Sequence, residues 1–256
     1  MPAPDGRFRL LILGGTAEAA AFARGVADRW GGNIDMITAL AGRLGRRPNL
    51  AGRMRVGGFG GTDGLTTYIK DESIDAMVDA THPFAAIMSA HAEEAAERTT
   101  VPRLVLCRPP WQSQAGDDWR TAPNIAEAAR LVPTIGSRAF LTTGIGGLDA
   151  FAAARGAWFL VRLMAPPKEA LPLAQCETVI GRPPYKLEDE RRLIGDYNIA
   201  VTVSKNSGGV ATEAKLTAAR EAGIPVIMVE RPQPPGGEIV ADVDTALSWI
   251  AARIGR

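Results

Sequence analysis

Short apolar runs alternate with helix-patterned segments along almost the whole chain, and that order constrains the fold more than any single motif. In the first half the runs are "RLLILGG", "IDMITAL", "MRVGG", "AMVDA" and "RLVLC". They lack the strict apolar–polar alternation of a half-exposed strand, so they suit a parallel sheet covered by helices on both faces. Helices are expected between them over 17–29, 65–71 and 84–98. The stretch "RPPWQSQAGDDW" breaks the order with Pro, Gly and charge, and the domain boundary is placed there, giving domains 1–112 and 113–256. The pattern then restarts with "RAFLTTG", "AWFLVRLM", "CETVIG", "IAVTVSK" and "IPVIMVE", interleaved with helices over 148–155, 186–197, 212–222 and 243–254. The expected fold class is therefore α/β, with two Rossmann-like doubly wound domains, each with a mainly parallel sheet of about five strands.

The length of 256 residues accommodates two domains of ordinary size. A net charge of +1 supplies no bulk field for nucleic acid or an anionic membrane, so neither is an expected partner. Cys107 and Cys176 lie too far apart in sequence for a disulfide framework or a zinc motif. His82 and His91, the only histidines, add no metal-ligand spacing, so no metal site is expected. No signal-peptide core is present and no window approaches the roughly 18 apolar residues of a membrane span, so a cytoplasmic location is expected.

In doubly wound sheets, ligands bind beyond the carboxyl ends of the strands. Four segments place chemistry there. "LLILGGTAEAAAFA" is a strand, a glycine turn and a helix, where Gly14, Gly15, Thr16 and Ala17 suit a pyrophosphate at a helix N-terminus. Thr16 and Ala19 replace two glycines of the dinucleotide fingerprint, so a purely structural turn accounts for the segment equally well. After the second strand "TALAGRLGRRP" has no carboxylate for a ribose hydroxyl; Arg43, Arg46 and Arg47 suit a 2′-phosphate instead, favouring NADPH over NADH. A solvated basic loop is the plainer alternative. "MVDATHPFAAIMSAHA" ends a buried strand in Asp79, Thr81 and His82, with Pro83 expected in the first turn of the following helix. His82 is either a proton donor or a partner in a local hydrogen bond, the second being the simpler account.

The fourth segment, "SKNSGGVATEAK", repeats that strand–turn–helix layout, with Ser207, Gly208 and Gly209 as an anion nest beside Lys205. "LTTGIGG" supplies one more glycine turn at Thr143. Arg-Pro follows an apolar run three times, at Arg108, Arg182 and Arg231. Proline stops a ladder, and several separated cations at strand ends suit a large substrate with several carboxylates. Covering the strand end is the alternative role for each arginine taken alone. No nucleophile elbow or Walker loop is present.

Taken together, "LILGGTAEA", "VDATHPFA", "FLTTG" and "VSKNSGG" followed by "GIPVIMVERP" resemble the precorrin-6A reductase family of cobalamin biosynthesis, in order and spacing along nearly the whole chain. The resemblance implies two Rossmann-like domains with the cofactor and a corrinoid precursor in the cleft between them. It also implies an NADP-dependent oxidoreductase that reduces one macrocycle double bond of precorrin-6A, a tetrapyrrole with many acetate and propionate groups, to give precorrin-6B. Gly14, Gly15, Thr16, Ala17, Arg43, Thr81 and His82 are then the expected NADPH-binding residues. Arg108, Thr143, Arg182, Lys205, Asn206, Ser207, Gly208 and Arg231 are expected at the substrate, and Lys205 and His82 are the catalytic candidates. No obligate protein partner is expected. The alternatives are the NADH-linked branch of the family, which acts on cobalt-precorrin-6A, and a non-catalytic module that senses NADPH.

Overall fold

The structure is a computed structural model and describes residues 6–42, 50–234 and 236–254. It divides into two compact units, Met1–Arg108 with Pro232–Arg256, and Pro109–Arg231. The chain passes between them at Arg108–Pro109 and again at Arg231–Pro232. The second passage is one the sequence pattern conceals: the C-terminal segment, expected to complete the second domain, joins the first unit. There Glu238–Val240 pairs with Arg103–Leu106 in parallel, an edge pairing too short to register as an apolar run.

In the first unit the strands are β1 (Phe8–Leu13), β2 (Ile34–Leu40), β3 (Arg53–Val56), β4 (Ala76–Asp79) and β5 (Arg103–Leu106). The helices α1 (Ala17–Trp30), α2 (Gly61–Asp71) and α3 (Ala86–Thr99) connect them. In the second unit β6 (Trp119–Ala122) and α4 (Ile125–Ile135) precede β7 (Arg138–Leu141), β8 (Trp158–Leu163) and β9 (Cys176–Ile180). Then come α5 (Leu187–Asp196), β10 (Val201–Lys205), α6 (Ala214–Glu221) and β11 (Val226–Val229). β12 (Glu238–Val240) and α7 (Val243–Ala251) return to the first unit.

Among the described residues each sheet has six strands, one more than expected, and every pairing is parallel. The first runs β3-β2-β1-β4-β5-β12 and the second β9-β8-β7-β10-β11-β6. Both are the 3-2-1-4-5-6 arrangement of dinucleotide-binding folds, in which the order reverses at a switch point. That point lies between β1 and β4 in one sheet and between β7 and β10 in the other. Each sixth strand comes from outside the run of five: β12 from the C-terminus, β6 from just after the first crossing.

The two faces of β1 show why the strands carry no polar alternation. Leu10 and Ile12 pack with Phe22 and Val26 of α1 and with Leu247 and Ile250 of α7. Leu11 and Leu13 point to the opposite face and pack with Leu65 and Ile69 of α2 and Ala92 and Ala95 of α3. Successive side chains of a strand point to opposite faces, and here both faces are interior. Fully burying a side chain such as Phe22 contributes roughly 1.5–3 kcal/mol. In the second unit Phe140, Leu160, Ile194, Leu216 and Met228 form the corresponding core.

Four elements differ from the sequence reading. β6 begins at the last residue of the "RPPWQSQAGDDW" stretch, and α4 follows it in a segment where the sequence pattern assigns no element, because "WRTA" is short and polar and Pro133 sits inside the helix. The cap was nonetheless written locally: Asn124 Oδ1 accepts from the Glu127 N–H at 2.9 Å. The segment over 148–155 is a 3-10 helix, Leu148–Ala153. Pro83 lies in a tight turn closed by Ala85 N–H donating to the His82 carbonyl at 2.7 Å, and α3 begins only at Ala86. Proline's fixed φ suits the second position of such a turn as well as a first helical turn.

Candidate active site: two switch points of opposite character

At the first switch point, the ends of β1 and β4 lie in register, Leu13 beside Asp79. Gly14 N–H donates to the Ala39 carbonyl at 2.8 Å, so the chain leaves β1 close against β2. A Cβ on Gly14 would sit 3.2 Å from Thr38 Cγ2, whereas Gly15 has φ +115° and open space where its Cβ would be. Gly14 is thus needed for packing and Gly15 for backbone shape, with room above it. Thr16 caps α1: its Oγ1 accepts from Ala19 N–H at 3.0 Å and donates to the Ala80 carbonyl at 2.8 Å. One hydroxyl therefore ties the glycine turn to the end of β4. The amides of Ala17 and Glu18 occupy the first turn of the helix, where backbone donors have no intrahelical acceptor.

Asp79 organises the β4 end. Its Oδ1 accepts from Thr81 N–H at 3.1 Å and from Thr81 Oγ1 at 2.7 Å. Ser89 Oγ lies 3.3 Å from the Thr81 hydroxyl. The Asp79 side chain is buried, yet its Oδ2 has no hydrogen-bond partner among the described residues. A buried acceptor without a donor is uncommon. His82 is exposed, and its Nδ1 accepts from Phe84 N–H at 3.2 Å, which leaves the proton of a neutral ring on Nε2. Phe84, Ile87 and Met88 line a shallow depression of about 510 Å³ next to it.

Arg43, with Arg46 and Arg47, lies outside the described residues. Arg108 sits in the first unit, where its Nη1 pairs with Glu18 Oε2 at 2.6 Å. Glu18, whose charge reads as awkward beside a phosphate, is thus neutralised at the start of α1. A feature the sequence reading passed over lies after β3: "VGGFGG" places Gly57, Gly58, Gly60 and Gly61 around Phe59. Arg55 donates to the Gly57 and Gly58 carbonyls, each at 3.1 Å, and stacks 4.2 Å over the Phe59 ring. Four glycines in five positions were the available signal.

The second switch point is furnished differently. Lys205 ends β10, and its Nζ donates to the Thr143 carbonyl just beyond β7 at 3.1 Å. Burial lowers the Lys205 pKa from its ordinary value. Thr143 is itself buried, and its Oγ1 has no partner among the described residues. A half-buried cation and a buried hydroxyl therefore flank one loop junction.

The loop after Lys205 is braced from below. Asn206 Oδ1 accepts from Trp111 N–H at 2.8 Å and its Nδ2 donates to the Trp111 carbonyl at 3.2 Å. Arg231 Nε donates to the Asn206 carbonyl at 2.7 Å. Gly208 has φ +66°, and a Cβ there would fall 2.0 Å from the Pro109 carbonyl oxygen. Ser207 is buried in the same loop. Asn206, Gly208 and Arg231 thus shape the loop that follows Lys205. Arg182 is exposed after β9, with Nε 3.4 Å from the Met164 carbonyl.

The structure therefore gathers Gly14, Gly15, Thr16, Ala17, Thr81 and His82 at one strand edge, and Thr143, Lys205, Asn206, Ser207 and Gly208 at another. Among the described residues no three His, Cys, Asp or Glu side chains are grouped to hold a metal ion. No helix among them is long and apolar enough to cross a membrane.

Comparison with known proteins agrees on one family. The family model described as precorrin-6x reductase CbiJ/CobK matches residues 9–251. A precorrin-6A reductase of Rhodococcus erythropolis is 47% identical over 244 residues, covering 94% of this chain and 97% of that protein. One from Rhodobacter capsulatus is 40% identical over 243 residues, covering 95% of this chain and 96% of that protein. A solved structure described as CobK precorrin-6A reductase superposes with a TM-score of 0.90 at 40% identity, covering 96% of this chain and 97% of that one. The chain belongs to the precorrin-6x reductase family.

Proposed function

We propose that the first switch point holds NADPH and the second holds the carboxylate-rich substrate. The family fixes the reaction: the chain is a precorrin-6A reductase of cobalamin biosynthesis, a pyridine-nucleotide-dependent oxidoreductase acting on a tetrapyrrole. The observation that carries the division of labour is the opposite charge of the two strand-end side chains, the buried Asp79 at one switch point and the half-buried Lys205 at the other.

The residues of the first unit fit a dinucleotide. Gly15 leaves room above the turn, and the first-turn amides of α1 aim donors at a pyrophosphate. Asp79 Oδ2 is an acceptor kept for a donor that arrives with the ligand, a ribose hydroxyl or a carboxamide N–H. Asp79 also holds Thr81 in place through both of its donors. Arg43 is assigned to the 2′-phosphate, whose charge separates NADPH from NADH. If Arg43→Ala leaves the preference for NADPH unchanged, that assignment falls.

In the second unit Lys205 meets a substrate carboxylate as a partly desolvated cation, where a charge-assisted bond is strong. Thr143 Oγ1 adds a hydrogen bond, and the exposed Arg182 takes a second carboxylate at the same strand edge. The bound nicotinamide supplies a hydride, and one proton completes the addition of two hydrogens to the macrocycle. His82 is assigned to deliver that proton as an imidazolium: with a solvent proton on Nδ1 in place of the Phe84 N–H contact, it gives the Nε2 proton to the macrocycle and returns to the neutral ring. No covalent nucleophile is required.

The direct test mixes the purified protein, NADPH and precorrin-6A, with NADH in parallel. Loss of absorbance at the reduced-nicotinamide band, with a gain of two hydrogens in the macrocycle mass, is the expected result. Consumption of NADH at the same rate would overturn the NADPH assignment.

A further inference from the structure

Strand β8 reads "WFLVRL" and is apolar apart from one guanidinium, Arg162, whose side chain is 7% exposed. Its Nη2 lies 2.7 Å from Glu190 Oε1 and 2.8 Å from Oε2, and the Glu190 side chain is 1% exposed. Arg162 Nη1 has no partner among the described residues. A buried ion pair of this kind is costly to desolvate, and apolar replacements of similar volume often leave stability equal or higher. Stability alone therefore does not account for it. The rings on either side of Arg162 do: its guanidinium lies 4.7 Å from the Phe140 centroid and 4.1 Å from that of Tyr185.

Tyr185 joins two loops. Its Oη donates to the Gly181 carbonyl at 3.0 Å, closing the "GRPPY" loop that carries Arg182. Its N–H donates to the Ala211 carbonyl at 3.0 Å, in the turn that follows the Lys205 loop. A Cβ on Gly181 would lie 3.3 Å from Tyr185 Cε1, so the ring packs tightly against the start of its own loop. Glu190, on α5, fixes the guanidinium, and the guanidinium presents a flat cation to the ring.

We infer that Arg162 is a positioning residue for the substrate: through Tyr185 it fixes the 181–185 loop that presents Arg182 and joins that loop to the turn beyond Lys205. The inference rests on the reading of Arg182 and Lys205 as macrocycle-binding groups. Arg162 touches neither ligand. It acts by holding one arginine in the geometry that a polycarboxylate of fixed shape requires, and a small misplacement of such a group lowers affinity more than it lowers stability.

The test compares Arg162→Met/Glu190→Leu, Tyr185→Phe and Arg182→Ala with the parent protein. In the first variant the melting temperature is expected to hold or rise, with NADPH affinity and kcat unchanged. Its KM for precorrin-6A is expected to rise about tenfold, and the Tyr185 amide to exchange faster with solvent. Arg182→Ala raises KM by a similar factor, and adding it to the first variant raises KM no further. Tyr185→Phe, which loses only the bond to Gly181, shows a smaller rise in KM. A parent-like KM in Arg162→Met/Glu190→Leu beside a raised KM in Arg182→Ala overturns the inference. A parent-like KM in both overturns the substrate reading of Arg182, and the inference with it; a fall in NADPH affinity matching the rise in KM overturns the positioning role by showing general loosening.

Discussion

The two sheets share one strand order but not one chemistry at the point where that order reverses. The first presents a carboxylate with a vacant oxygen, a capped fourteen-residue helix and a glycine turn with open space above it. The second presents a half-buried lysine, a buried hydroxyl and a loop pressed against Pro109 and Trp111, followed by short 3-10 turns. Strand order fixes where a ligand sits, and the side chains at the strand ends decide which ligand it is. A long helix with open first-turn amides suits a pyrophosphate. A cation followed by short turns suits separate carboxylates.

The largest expected effect separates the glycines of the two sites. Gly208→Ala forces a Cβ onto the Pro109 carbonyl and is expected to displace the loop and abolish precorrin-6A turnover, while NADPH still binds. Gly15→Ala meets only backbone strain, about 1–3 kcal/mol, and a folded protein with weakened NADPH binding is expected in a thermal melt and titration. Next, Lys205→Met loses a charged contact of about 1.5–3 kcal/mol, so KM for precorrin-6A rises roughly 10–100-fold with NADPH affinity unchanged.

Lys205 also gives a pH dependence of defined sign. Burial lowers its pKa below the ordinary 10.5, so between the two values the unfolded chain binds more protons and stability rises with pH. Carboxylate binding requires the charged form, so affinity for precorrin-6A falls over that same alkaline window. Lys205→Arg, whose guanidinium stays charged, is expected to keep its affinity there. A parallel fall in Lys205→Arg would assign the titration elsewhere. The smallest effect is expected of Arg108→Ala: its partner is Glu18, so NADPH affinity drops a few-fold as that carboxylate is left uncompensated near the pyrophosphate, and KM for precorrin-6A does not change.

The parallel α/β architecture was legible because strands buried on both faces cannot alternate, as Leu10 and Leu11 show by packing on opposite cores. The glycine turn and the Asp79–His82 cluster were legible because such loops need special residues at fixed places. Connectivity was not. Nothing in "EIV" announces an edge strand whose partner lies more than a hundred residues earlier. The Arg-Pro pattern reads as a set of substrate arginines, yet two of its three copies mark the points where the chain changes unit. Arg108 pairs with Glu18 and Arg231 braces Asn206, contacts across long stretches of sequence that only the fold creates. Arg162 was visible as a lone charge in "FLVRLM", but its partner Glu190 lies on α5 and only the fold brings them together.

The central claim is that the two switch points bind different ligands, and amide exchange measured with each ligand alone tests it most directly. NADPH is expected to protect Gly14–Ala17 and Asp79–His82 and to leave Thr143 and Lys205–Gly209 at their free rates. Precorrin-6A is expected to do the reverse. Protection of the Lys205 loop by NADPH alone, with no change at Gly14–Ala17, would contradict the account.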